Sequence, residues 1–433
     1  MEDSITIISA VLSLFAVLLV AGAPIFAALG VASCLGIYMH GGFDGLMAVP
    51  DILHRGLASY SLIAIPLFIL MGEVIARTDI GGRLYHLFNL WLNRVPGNLA
   101  VASIGSCALF GAMSGVSVAG AATIGRFSVP QMLKRGYAGS LAGGSVAAAG
   151  ALALLIPPSI GFVLYGEMAD QSIGKLFIAG IVPGILITVL MMLYVGVLAT
   201  LRPDIAPRVD SVVTWRERFS ALKGVWAAVL LVFLVLGTIY LGIATPTEAA
   251  GLGAAGAFLI AGLDRQLSLE KVLEIFRSTA VTSGMILLIL TAALLFAYIV
   301  TRLMIPQTLV MWIAQVDYPA WVILSLILLF LLVIGMFLDI VSIILIATPI
   351  LLPVVTALGF NPIWFGVIMI IACEMAVITP PVGLNLYVIK GVAPDLHINE
   401  IIWGALPFVV IEIIAIAILT LFPSLVLWLP SIM

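Results

Sequence analysis

The segment Ile378-Thr379-Pro380-Pro381-Val382-Gly383 has an earlier counterpart in Leu155-Ile156-Pro157-Pro158-Ser159-Ile160-Gly161, roughly 223 residues back along a chain of 433. Two adjacent prolines remove two backbone donors and clash with the turn before them, so neither segment lies inside an unbroken helix. Both nevertheless stand among long apolar runs. Of the whole chain, 63% is hydrophobic and 9% is charged, too little charge to cover a soluble protein of this length. Apolar stretches long enough to cross a hydrocarbon layer of about 30 Å recur from end to end. The proline pairs are thus read as breaks in membrane helices.

Other landmarks repeat in the same order. Ala23-Pro24 answers Thr245-Pro246, the run from Gly111 to Pro130 answers that from Gly335 to Pro353, and Gly180-Ile181-Val182-Pro183 answers Gly404-Ala405-Leu406-Pro407. The chain divides into repeat one (1–201), a polar linker (202–223) and repeat two (224–433). Arg202, Arg208, Arg216, Arg218 and Lys223 place the linker in the cytoplasm. The loop 77–94, after three crossings of repeat one, is basic, whereas 305–319, after three crossings of repeat two, holds no Lys or Arg. The halves therefore insert in opposite orientations, as inverted-topology repeats do. The expected fold class is an all-α polytopic membrane protein with two re-entrant hairpins and two broken helices.

The hairpins are expected at about 98–133, interrupted at Gly111-Ala112-Met113-Ser114-Gly115-Val116-Ser117, and at about 320–356, interrupted near Gly335-Met336-Phe337-Leu338-Asp339. Non-helical backbone at membrane depth needs protein or a wet cavity to satisfy it. Carbonyls freed at the breaks, with a nearby hydroxyl, suit a hard cation such as sodium, while the N-termini of half-helices favour an anion. The candidate sodium residues are Gly111, Ser114, Gly115 and Ser117 with Ile156 and Pro157, and Gly335, Asp339 and Thr348 with Thr379, Pro380 and Gly383. Arg126, Ser159 and Asn385 are candidates for an anionic substrate, because a guanidinium binds a carboxylate bidentately.

Asp339 and Glu374 are ionisable groups inside apolar runs, functional candidates by default, although Glu374 could equally tie helices together. Glu248 reads as structural: Thr245-Pro246-Thr247-Glu248 is a capping box with proline at the first helical position. Glu73 and Arg77, four apart, suggest an interfacial ion pair. The stretch 268–279 has apolar Leu269, Val272, Leu273 and Phe276 at helical spacing, as a helix lying on the cytoplasmic membrane surface would.

Several classes are set aside. The net charge of −3 is too small to argue for nucleic acid. Cys34, Cys107 and Cys373 stand singly, without disulfide or metal spacing, so no transition metal or cofactor is expected. An intramembrane hydrolase would need a base beside Ser114 or Ser117, yet His40, His54, His86 and His397 all fall at loops or ends. A channel would not require paired discontinuities.

Ile156-Pro157-Pro158-Ser159, Gly174-Lys175-Leu176-Phe177-Ile178-Ala179-Gly180, Ala244-Thr245-Pro246-Thr247-Glu248-Ala249-Ala250 and Ile378 through Leu386 carry a resemblance. Together with Gly335-Met336-Phe337-Leu338-Asp339 they resemble the large membrane subunit of tripartite ATP-independent periplasmic (TRAP) transporters, over nearly the whole chain. The resemblance implies sodium-driven uptake of an organic anion, typically a carboxylate or sialic acid, across the bacterial inner membrane. It implies a soluble periplasmic binding protein, a small four-helix membrane subunit expected as a separate chain, and elevator-like movement of the two-hairpin domain. Sodium would be a coupling ion, and no enzymatic activity is implied. A sodium-coupled carboxylate transporter or exchanger working without a binding protein shares the architecture and stays open. The sequence departs from the family pattern at Ser114-Gly115-Val116-Ser117, at Gly125-Arg126 and at Ala372-Cys373-Glu374.

Overall fold

The structure, a computed structural model, describes residues 2–207, 213–316 and 318–432; Arg208 of the linker lies outside the described residues. Among the described residues every regular element is helical. Ile25–Leu46, Ile173–Leu201, Pro246–Leu263, Leu269–Arg302, Ile340–Ala357 and Ile398–Leu421 are long and apolar enough to cross a membrane. Val49–Leu57 with Tyr60–Ala76, and Trp215–Gly224 with Trp226–Tyr240, form bent pairs at 61° and 51°.

Both expected hairpins form where the interruptions fall. Asn98–Ser114 and Ser117–Lys134 are joined by left-handed Gly115 and extended Val116. Ala320–Gly335 and Ile340–Ala357 are joined through residues 336–339. The first arms, of 17 and 16 residues, are about 25 Å long at 1.5 Å per residue, and the second arms, of 18 residues each, about 27 Å. The arms differ in surroundings. Asn98–Ser114 is buried on every side except at Leu109, whereas Ala320–Gly335 leaves Trp321, Leu326, Leu329, Phe330 and Val333 exposed.

The proline pairs break helices as expected. Gly139–Ala151 tightens into a 3-10 turn, Leu152–Leu154, and restarts at Ile160–Ala169. Pro362–Val377 stops and restarts at Leu384–Val392. Both Pro157-Pro158 and Pro380-Pro381 bonds are cis. The helix after each break packs against the other hairpin: Ile160–Ala169 on Ile340–Ala357, and Leu384–Val392 on Ser117–Lys134. Glycine permits the tightest crossing. Gly144 meets the backbone of Gly404, and Gly404 meets that of Ser140, so Gly139–Ala151 and Ile398–Leu421 touch main chain to main chain.

Two expectations are corrected. Residues 268–279 are not a separate surface helix but the start of Leu269–Arg302, about 51 Å long at 1.5 Å per residue. No Gly or Pro stands between Ser268 and Ser283 to end the helix after its amphipathic turns. Nor is 305–319 a plain loop. Ile305–Gln315 is helical, opened by left-handed Met304 and by Pro306 in its first turn. It has a counterpart in Ile80–Trp91, within the basic segment 77–94. The linker is partly helical as well. Thr214 and Glu217 form a capping box on Trp215–Gly224, and Arg218 of that helix donates to Asn93 at 2.9 Å.

Candidate functional site

Each hairpin tip is seated on its own proline break. At the first, Gly115 has φ +62, and a Cβ placed there would lie 2.5 Å from the carbonyl of Pro158. Only glycine combines that approach with that backbone conformation. Gly111, one turn earlier and helical, lies so close to the backbone of Ala153 that a Cβ there would come within 2.6 Å of it. At the second, the N–H of Val382 donates to the carbonyl of Met336 at 3.3 Å, and Gly335 packs on Ala376.

Around these junctions the candidate sodium residues fall into two groups. Ser114 and Ser117 are buried beside Gly115. The Ser114 hydroxyl has no hydrogen-bond partner among the described residues, and its carbonyl faces Gly72 of the neighbouring helix. Pro157 is buried, while half-buried Ile156 packs on Gly184. In the second group Asp339 caps its own helix. It accepts from the N–H groups of Val341 at 3.1 Å and Ser342 at 3.3 Å, and from the Ser342 hydroxyl. The Thr379 hydroxyl donates to the Met375 carbonyl at 2.5 Å, and Gly383 is left-handed at φ +45 beside half-buried Pro380. Thr348 does not join them. It is nine residues beyond Asp339, about 13 Å along the helix, and donates to Ile344 next to the Met369 sulfur.

A cavity of about 860 Å³ opens beside both tips. Gly115, Ser117, Thr123 and Arg126 of the first hairpin face it, with Asp339 and Val341 of the second. The opposite wall comes from Glu73, Arg77, Lys271 and Glu274. Arg77 pairs with Glu73, as the four-residue spacing suggests, and approaches Glu274 at 4.0 Å; Ser278 donates to Glu73 at 2.8 Å. Arg126 is exposed on this cavity and makes no ion pair among the described residues.

The structure does not bring the other two substrate candidates to the cavity wall. Ser159 is fully buried and caps Ile160–Ala169 by accepting from the Phe162 N–H at 3.4 Å. Asn385 is fully buried too, and its Nδ2 donates to the Ser117 hydroxyl at 2.8 Å and the Ala147 carbonyl at 3.0 Å. One residue passed over in the sequence is Glu412, a fully buried carboxyl within the apolar helix Ile398–Leu421. Like Asp339, it is an ionisable group in an apolar run, and that is the signal that marks it. The Thr245 and Glu248 capping box forms as read, with the Thr245 N–H donating to Glu248 at 2.8 Å. The Thr245 hydroxyl donates to the same carboxyl at 2.9 Å.

Residues 12–425 match the family described as tripartite ATP-independent periplasmic transporter, DctM component. The chain belongs to this family. It is 37% identical over 374 residues to the C4-dicarboxylate TRAP transporter large permease protein DctM of Pseudomonas aeruginosa, covering 86% of each chain. It is 36% identical to the isethionate TRAP transporter permease protein DctMQ of Oleidesulfovibrio alaskensis, over 95% of this chain and 64% of that one. The sialic acid large permease SiaM of Vibrio cholerae is 32% identical over 87% of each. Among solved structures, the YdaH transporter of Alcanivorax borkumensis superposes with a TM-score of 0.62 at 18% identity, over 89% of both chains. MtrF of Neisseria gonorrhoeae gives 0.57 at 14% identity, over 89% of this chain and 84% of that one. Both likenesses concern the fold. This permease is a multi-spanning protein of the bacterial inner membrane.

Proposed function

We propose that this permease imports an organic anion with sodium, as the membrane part of a transporter whose substrate arrives on a periplasmic binding protein. The observation that carries the reading is the seating of each hairpin tip on its own proline break, beside a cavity whose wall holds Arg126, an arginine without an ion pair among the described residues. Tip and break together offer carbonyls and hydroxyls to a hard cation. Arg126 offers a planar fork to a carboxylate. The named relatives act on C4-dicarboxylate, isethionate and sialic acid, all organic anions, which supports the class of substrate. A small membrane subunit completes the assembly, by analogy with the family.

The two halves are inverted repeats, and the domain holding both hairpins moves as an elevator across the scaffold. Arg77 and Lys271 on the cavity wall support a reading in which the cavity faces the cytoplasm. Single cysteines at exposed Arg94 and Thr356, near the open ends of the two hairpins, should label from opposite faces of oriented vesicles. Labelling from one face would sink the inverted arrangement.

Uptake by the reconstituted transporter with its binding protein tests the site. Arg126→Lys keeps the charge but loses the fork, weakening a bidentate contact by about 1 to 3 kcal/mol. Apparent substrate affinity should fall by about one to two orders of magnitude, with sodium dependence unchanged. Wild-type affinity in Arg126→Lys would remove the fork from substrate binding, since lysine also serves as an interfacial anchor.

A further inference from the structure

The cavity beside the hairpin tips has two unlike walls. On the wall away from the tips, Arg77 is paired with Glu73, and Lys271 donates to the Gln266 carbonyl at 3.1 Å. The wall on the hairpin side comes from Ser117–Lys134, Ile340–Ala357 and the start of Leu384–Val392. Among the described residues its one cation is Arg126 and its one acid is Asp339.

The other polar groups of the hairpin wall are few. Asp339 is engaged by the amides of Val341 and Ser342, and the Ser117 hydroxyl is shared with Asn385. Thr123 stands one turn before Arg126 on the same helix face and adds a hydroxyl there. Between Arg126 and the tip, about 13 Å along the helix from Ser117, the lining is otherwise apolar. Val118 and Ala122 lead to Arg126 at four-residue spacing, Phe127 adjoins it, and Ile340, Val341 and Leu384 line the same space. A ligand that travels with the hairpin domain keeps only the contacts made on this wall. Arg126 meets one carboxylate. A second would lose its water among apolar side chains, with Asp339 as the nearest charge the wall offers, and sugar hydroxyls would lose theirs with little in return. An apolar body gains from the same burial.

We propose that the ligand of this cavity is a monoanion, a single acid group on an apolar body. The acid lies on Arg126 and Thr123, and the body runs along Val118 and Ala122 toward the tips. This narrows the substrate class of the import reading above, and it rests on that reading in placing the substrate on the hairpin wall.

Calorimetric titration of the full-length permease in lipid nanodiscs, with sodium present, reads the class directly. The probes are phenylacetate, its uncharged amide, succinate and N-acetylneuraminate. Phenylacetate should bind about tenfold or more tighter than each of the other three. Arg126→Ala should bring phenylacetate down to the level of its amide. Succinate or N-acetylneuraminate bound as tightly as phenylacetate would overturn the proposal. So would equal binding of phenylacetate and its amide, or no binding of phenylacetate at millimolar concentration. The wild-type comparison stands whether or not the variant folds. Binding is read without transport, so the two readings fail separately. Succinate held tightly through Arg126 would sink the apolar class and leave sodium-driven import standing. Tight phenylacetate binding, with no sodium-driven uptake in the presence of the binding protein, would sink import and leave the ligand class.

Discussion

At the tip of the first hairpin the Ser114 hydroxyl is buried without a partner among the described residues, Gly115 turns left-handed, and no side chain caps the arm that follows. At the tip of the second, Asp339 caps the returning arm and both its oxygens are engaged. The breaks show the opposite pattern. Ser159 caps the helix after the first, and Pro157 and Pro158 are buried; after the second no side chain caps the helix, and Pro381 and Val382 are exposed. Matching positions in the two halves thus satisfy the same orphan N–H groups by different means. Where a side chain caps a helix, its oxygens are less free for a ligand. The first tip, whose hydroxyl is unengaged among the described residues, is therefore the better placed of the two proposed cation sites.

The largest effect should come from filling the first tip. Gly115→Val forces a branched side chain into a left-handed residue and onto the Pro158 carbonyl, so uptake should be almost abolished. Gly359→Ala, left-handed at the far end of the second hairpin with open space around it, should transport normally. Equal losses in the two variants would make backbone strain, rather than the seating of tip on break, the cause.

Ser114→Ala and Asp339→Ala sharpen the contrast. Ser114→Ala should raise the sodium concentration for half-maximal uptake by about tenfold, worth roughly 1.4 kcal/mol, without lowering the melting temperature. Asp339→Ala should lower thermal stability by about 1 kcal/mol through the lost cap. Asp339→Asn should restore that stability, because asparagine caps as well. If Asp339→Asn alone raises the sodium requirement and Ser114→Ala does not, the ranking of the two tips is reversed.

Asn385→Ala removes the one side-chain bridge described from the second break to the first hairpin. The buried Ser117 hydroxyl and Ala147 carbonyl lose a partner, at a cost of about 1 to 3 kcal/mol in chemical denaturation. No loss of stability would mean that the contact is replaced from elsewhere.

The smallest effect concerns the helices that open with Pro24 and Pro246. Only the second carries a capping box. The Glu248 carboxyl closes that box by accepting from the Thr245 N–H at 2.8 Å and from its hydroxyl at 2.9 Å. Thr245→Ala should therefore lower hydrogen-exchange protection at residues 247–249, measured against the intrinsic rate at neutral pH. Residues 25–28 should show no such response.

Much of this was readable in the sequence where the cause is local. Proline without an N–H stops a helix wherever it stands, so the breaks at 157–158 and 380–381 fell where read, as did the turns at Gly115 and before Asp339. Direction was not readable. A serine and an asparagine near half-helix N-termini looked available to a substrate, but Ser159 turns back to cap its helix and Asn385 is engaged by Ser117. The cavity wall from Glu73, Arg77, Lys271 and Glu274 depends on helices far apart in the chain coming side by side. Amphipathic spacing at 268–279 described a face and could not say where the helix ends.

The helix that follows each break lies against the other half's hairpin, and Gly144 of one half meets the main chain of Gly404 in the other. Severing the chain in the linker would consequently yield two fragments, each lacking a wall of its own interior. Neither should persist in the membrane when made alone, whereas the two made together should reassemble.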